Sequence, residues 1–178
     1  MTRRRKGFWV VTWALILMAI WSVVRIAPWL RDESEQWAIK SHQEQFAQRY
    51  VHLKRIVDGC AAEKSIRWVG RGENDATSYG TVGLSASASL HVATIRQSLM
   101  QADALSAQCG RRFDREGAPL TVVDITVSSR GISVSGWASG YVFFVDPNEK
   151  SRAVMEDDIR NGALFPLPRG GWFVFQTL

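Results

Sequence analysis

Residues 7–24 contain no charged side chain, and Arg3, Arg4, Arg5 and Lys6 stand directly before them. No other feature constrains this chain so tightly. A helix of that length rises about 27 Å, close to the ~30 Å hydrocarbon core of a bilayer. Arg25 sits where a long side chain can snorkel to the interface, so Ile26 to Leu30 extend the apolar stretch. Trp9 and Trp29 fall where interfacial aromatics are favoured. The basic cluster has no acid in it, whereas Arg25 and Arg31 on the far side are diluted by Asp32, Glu33 and Glu35. That asymmetry places the N-terminus inside and the rest outside. A cleaved signal peptide needs small residues at −3 and −1 of the cut. Arg25-Ile26-Ala27 before Pro28 offers an arginine at −3 and a proline at +1, so the expectation is an uncleaved signal anchor. The expected organisation is a cytoplasmic basic tail (1–6), a transmembrane anchor (7–28), a juxtamembrane amphipathic helix (29–58) and an extracytoplasmic α+β domain (59–178).

The net charge of +5 does not point to nucleic acid. Five of the 22 basic residues lie in the first thirty positions, and the remaining 17 equal the 17 acidic ones. The part beyond the anchor is formally neutral and has no general attraction for a phosphate backbone.

After the anchor the pattern is helical and then alternating. No Gly or Pro occurs between Trp29 and Asp58, and Gly59 supplies a stop signal. Ile39, Phe46, Tyr50, Leu53 and Val57 line one helical face. That face packs either on the domain's own sheet or on a partner, and Ile39, Phe46, Tyr50 and Leu53 are the candidate partner face. The glycines of residues 64–83 indicate loop, with a short strand at Ser65–Val69. Residues 90–108 predict a second amphipathic helix through Val92, Ile95, Leu99 and Ala102. Thr121–Ser128 alternates, Arg130-Gly131 follows, and Ile132–Ser135 alternates again, which predicts a hairpin turning near Ser129–Gly131. Tyr141–Val145 and Trp172–Phe175 predict two more strands, and Ser151–Arg160 a short helix. The fold class is therefore α+β: a small antiparallel sheet of three to five strands, packed by one or two helices on one face.

Cys60 and Cys109 both lie outside the membrane in this topology, each beside a glycine. An oxidising compartment favours a disulfide between them. No C-x-x-C is present, so a redox-active pair is not expected.

The remaining polar residues nominate no chemistry. His42 and His52 sit about 15 Å apart along the helix, too far to share a metal, and His91 stands alone. Glu156-Asp157-Asp158 point in different directions on a helix and make no facing acid/base pair. Arg111, Arg112 and Arg115, interleaved with Asp114 and Glu116, read as a mixed-charge loop. The glycines form no phosphate-binding or nucleophile-elbow pattern. Trp137, Tyr141, Trp172 and Phe173 line an aromatic groove if they share an exposed sheet face, and pack a core otherwise. The expectation is no enzyme, no cofactor and no metal.

Arg3-Arg4-Arg5-Lys6-Gly7-Phe8, the apolar run, the long helix to Asp58 and the C-terminal strands together resemble a type IV pilin or pseudopilin precursor. The resemblance implies processing between Gly7 and Phe8 and a β-sheet head. The sequence departs from that pattern at Thr12, where the family usually has glutamate, and at Trp9, Trp13, Trp21 and Arg25 within the span.

The functional expectation is a single-pass protein of the cell inner membrane with a periplasmic, non-catalytic domain. That domain scaffolds, tethers or modulates an envelope protein or a second copy of itself. A pilin-like subunit and an anchored enzyme or small-ligand binder are the alternatives. The absence of N-x-[ST] sequons fits a bacterial periplasm.

Overall fold

The structure is a computed structural model that describes Met18, Trp21 and residues 36–78, 84–113, 119–130, 137–145 and 149–177. The chain divides into two compact units, residues 1–38 and 39–178. In the first unit the described residues, Met18, Trp21 and 36–38, are helical. The expected span, 7–28, otherwise lies outside the described residues. Among those residues no helix is long and apolar enough to cross a membrane.

The second unit is a mixed helix and antiparallel sheet fold. Its first helix, α1, belongs to a helical stretch described over residues 36–62. Phe46, Leu53, Ile56, Val57 and Cys60 are buried at helical spacing, with Ile39 and Tyr50 packed beside them. The opposite face is polar and carries the i,i+4 pairs Lys40–Glu44 and Lys54–Asp58. Gly59 does not stop α1, which continues to residue 62. A Cβ at Gly59 would lie 2.8 Å from Ile95 Cγ1, so this glycine lets two helices approach closely.

Strands β1 (Ile66–Gly70) and β2 (Ala76–Ser78) follow, and then helix α2 (Ala86–Gln101). Ser85 caps α2 by accepting a hydrogen bond from the Ala88 amide at 3.1 Å. Ala88, Val92, Ile95 and Leu99 form the buried stripe of α2. The chain leaves the helix through Asp103, at φ +50°, a left-handed conformation that Asp tolerates better than most residues.

The remaining elements are β3 (Ser106–Phe113), β4 (Pro119–Arg130), β5 (Trp137–Phe144), α3 (Glu149–Arg160), β6 (Leu164–Pro166) and β7 (Trp172–Thr177). Among the described residues the sheet has seven strands in the order β2-β1-β3-β4-β5-β7-β6, and every pairing is antiparallel. The sequence suggested three to five. Both edge strands have only three residues, too few to show a period of two. Short edges also blunt pairing with other chains.

The hairpin differs from expectation as well. The partner of β4 is β5, with Arg130 opposite Trp137 and Ile125 opposite Tyr141. The expected second strand, Ile132–Ser135, lies outside the described residues. The register shifts between Thr126 and Ser128. Beside that irregularity a Cβ at Gly140 would run into the Ile125 carbonyl oxygen, a contact no side chain can make.

Helices cover both faces of the sheet, not one. Residues of α1 and α2 form one core with Val69, Ala107, Cys109, Val123, Ile125, Tyr141, Trp172 and Val174. Val154 and Met155 of α3 pack on the other face against Val122, Val142, Phe144, Leu164, Phe173 and Phe175. Strands buried on both sides lose the clean in/out alternation that a one-sided sheet shows. The pairs Val122/Val123 and Phe143/Phe144 are therefore apolar at adjacent positions.

Candidate functional site

The most unusual chemistry in the described structure lies under α1, on β5. Ser139 and Tyr141 are two residues apart on one strand and face the same side. His42 reaches them from the helix. Its Nε2 lies 2.8 Å from Ser139 Oγ, and its backbone carbonyl accepts a hydrogen bond from the Tyr141 hydroxyl at 2.9 Å. The rings of His42 and Tyr141 are 5.4 Å apart. All three residues are buried: His42 is 6% exposed, and Ser139 and Tyr141 are fully covered. Among the described residues His42 Nδ1 has no hydrogen-bond partner.

Electrostatics hold this imidazole neutral. Burial, and secondarily the Arg49 guanidinium two turns along α1, push the His42 pKa down to about 4. Burial also pushes the Tyr141 phenol up. Arg49 Nη2 lies 3.8 Å from Asp103 Oδ2, and the other oxygen of Asp103 meets Arg71 Nη2 at 2.7 Å. Arg71 also donates to the Ala104 carbonyl. A chain of charges thus runs from α1 to the end of α2, with the left-handed Asp103 at its centre.

A serine within 2.8 Å of a histidine is the geometry of a base beside a nucleophile. Here Ser139 is wholly buried between helix and sheet, so no substrate carbonyl can reach its oxygen. What the arrangement can do is fix the N-terminal part of α1 to β5 through a polar contact inside an apolar layer. Phe46 continues that layer, with ring centroids 5.8 Å from Tyr141 and 5.7 Å from Trp172. Tyr50 adds an edge contact with Trp172 and carries the Arg169 guanidinium 3.8 Å above its ring.

At the other end of α1 the tie is covalent. Cys60 and Cys109 form a disulfide, as expected, with Cα atoms 5.2 Å apart and a sequence separation of 49. It joins the end of α1 to β3.

The face of Ile39, Phe46, Tyr50 and Leu53 is accordingly not a free partner surface. Phe46 is 3% exposed and Leu53 is fully buried against the domain's own sheet. The sheet is the nearest apolar surface, and α1 spends most of that stripe on it, with Ile39 and Tyr50 half-buried at its margin. The four aromatics suggested as a groove do not share a face. Tyr141 and Trp172 lie under α1, whereas Phe173 is buried on the α3 side. Trp137 is half-buried with its indole nitrogen unpartnered among the described residues. His52 and His91 are half-buried and apart from the cluster. Glu156, Asp157 and Asp158 lie on α3. No group of three potential metal ligands occurs among the described residues. Arg3, Arg4, Arg5 and Lys6 lie outside them.

Ser139, Arg49 and Asp103 were not nominated from the sequence, and Tyr141 was nominated only as one of four groove aromatics. One signal was present for His42: it precedes Phe46 by four residues and so shares the apolar stripe of α1. Nothing local pairs it with a serine 97 positions away.

Comparison of the chain with protein families, with characterised proteins and with solved structures finds no match.

Proposed function

We propose that this chain is a single-pass inner-membrane protein whose periplasmic domain scaffolds, tethers or modulates another envelope component without catalysing a reaction. The observation that carries the reading is the uncharged run 7–24 behind Arg3-Arg4-Arg5-Lys6, in the same chain as a disulfide between Cys60 and Cys109. The first is an anchor with an orientation; the second belongs to an oxidising space. Both support a domain on the non-cytoplasmic side. The lipid bilayer is then one partner, through residues 7–28. The other is an envelope protein or a second copy. With the apolar stripe of α1 used internally, such a partner meets outward faces. The exposed face of α2, with Leu90, Ala93, Thr94, Gln97 and Met100, carries no charge and supports that role.

Non-reducing intact-mass analysis of the protein extracted from its native membrane tests the anchor. A full-length N-terminus with the disulfide in place is the expected result; a start after Ala27 would mean a secreted domain and end the proposal. Crosslinking in intact cells then tests the tether. A chain recovered only as an uncrosslinked monomer would count against it.

A pilin-like subunit is the second reading, favoured by the amphipathic α1 leading into an antiparallel sheet. The same mass measurement separates it, because processing would leave a methylated Phe8 as the first residue.

A further inference from the structure

We propose that the buried His42–Ser139 pair is an acid-sensitive latch, which holds the N-terminal half of α1 on the sheet and releases it when His42 takes up a second ring proton.

The geometry supplies each part. In the neutral ring one nitrogen carries a proton and the other accepts, so a single contact with Ser139 Oγ at 2.8 Å suits it. A protonated ring carries two donors and a charge. Its second donor, at Nδ1, has no acceptor among the described residues. Neither do the surroundings offset the charge. From α1 the ring faces the Arg49 guanidinium, which repels it; from β5 it faces the Tyr141 phenol and the Ser139 hydroxyl. The neighbouring strands present apolar side chains on this face, Val123, Ile125 and Val127 from β4 and Trp172 and Val174 from β7. Among the described residues no carboxylate contributes to the field at His42. Asp103, the acid nearest along this chain of charges, is engaged by Arg49 and Arg71. A charged His42 therefore leaves the layer for water.

The disulfide decides how much leaves with it. Cys60–Cys109 holds the C-terminal end of α1 on β3, and Leu53, Ile56 and Val57 are buried between the two ties. Release is confined to the half that precedes Leu53. It uncovers the faces of Tyr141 and Trp172 against which Phe46 packs. Acidification would thus present a new apolar surface on this face of the sheet.

The size of the effect follows from linkage. With a pKa of 6.5 for the freed imidazole and about 4 for the docked one, the opening equilibrium rises about 20-fold between neutral pH and about pH 5. Hydrogen–deuterium exchange of the full chain in detergent reads this directly, once rates are corrected for intrinsic chemical exchange. Amides of residues 42–50 should lose protection by that factor, while those of residues 54–62 change little. His42→Gln keeps a hydrogen-bonding group for Ser139 but does not titrate, and it should abolish the pH response. A wild-type change under about 3-fold, or an equal change in the variant, overturns the latch. If His42→Gln lacks protection in α1 already at neutral pH, the wild-type imidazole is followed by NMR. A titration midpoint near the free value in the docked chain refutes the proposal, and a midpoint below about 5 that coincides with the loss of protection supports it.

Discussion

Breaking the Cys60–Cys109 bond should lower the stability of the domain by about 4 kcal/mol. The bond closes a loop of 49 positions that contains β1, β2, α2 and the first part of β3. In the chain-entropy relation that loop restricts the unfolded ensemble by about 14 cal/mol/K, or about 4 kcal/mol at room temperature. For a domain of this size that is a large share of a total of about 5–15 kcal/mol. The cleanest perturbation keeps every atom in place and compares the oxidised chain with the reduced one. Both sulfurs are buried, with Cys60 7% and Cys109 3% exposed, so reductant must be applied under unfolding conditions and maintained during refolding. Urea denaturation followed by circular dichroism then gives the two midpoints. With a slope of about 2 kcal/mol per molar, the reduced midpoint should lie about 2 M lower, and the thermal midpoint about 10–15 °C lower. A shift under about 0.5 M at unchanged slope would refute the reasoning, because the loop between the cysteines would then cost little to close without the bond. A change in slope instead would locate the effect in a compact unfolded state.

Other expectations follow from single positions. Leu53 and Lys54 are neighbours on different faces of α1, one fully buried and the other exposed in a pair with Asp58 at 2.6 Å; Leu53→Ala should cost about 2–5 kcal/mol in the same urea assay, whereas Lys54→Ala should leave the midpoint nearly unchanged, and similar shifts would show that α1 is not seated as described. Gly140→Ala forces a Cβ against the Ile125 carbonyl and should destabilise by about 3 kcal/mol or more, which a thermal melt of wild type and variant would reveal; a melt within a degree or two of wild type would deny the close approach. Global stability should also fall with acid through His42. The folded pKa, about 4, lies below the free value of 6.5, so the unfolded chain binds the proton first. The penalty is absent above about 6.5, grows as pH falls toward 4, and levels near about 3 kcal/mol. Denaturation of wild type and His42→Gln across that window isolates this contribution, and parallel curves would remove it.

Several features of this protein were legible from local sequence because each has a local physical cause. The long interval free of Gly and Pro, with apolar residues at Phe46, Tyr50, Leu53 and Val57, implies an amphipathic helix, and α1 is that helix. Val92, Ile95 and Leu99 make α2 by the same rule, although the helix expected over 90–108 runs over Ala86–Gln101, and residues 106–108 belong to β3. Alternation through Val123 and Ile125, and the glycine pair before Trp172, mark β4 and β7. Two cysteines beyond a charge-flanked apolar run suggested the disulfide that is present. Tertiary structure decided the rest, because the causes are non-local. Gly59 looked like a helix stop until Ile95 from α2 was placed against it. The three-residue strands β2 and β6 have no pattern of their own and exist through pairing with β1 and β7. Phe143 and Phe144 face different helices, and only a sheet covered on both sides makes adjacent aromatics both interior. Nothing in the sequence marked His42 as paired, because a ring nitrogen is satisfied in water as readily as by a protein partner. Its burial depends on Ser139 and Tyr141 arriving from a strand almost a hundred residues away. Sequence periodicity reports which face of an element avoids water; it does not report which distant polar group will meet that face.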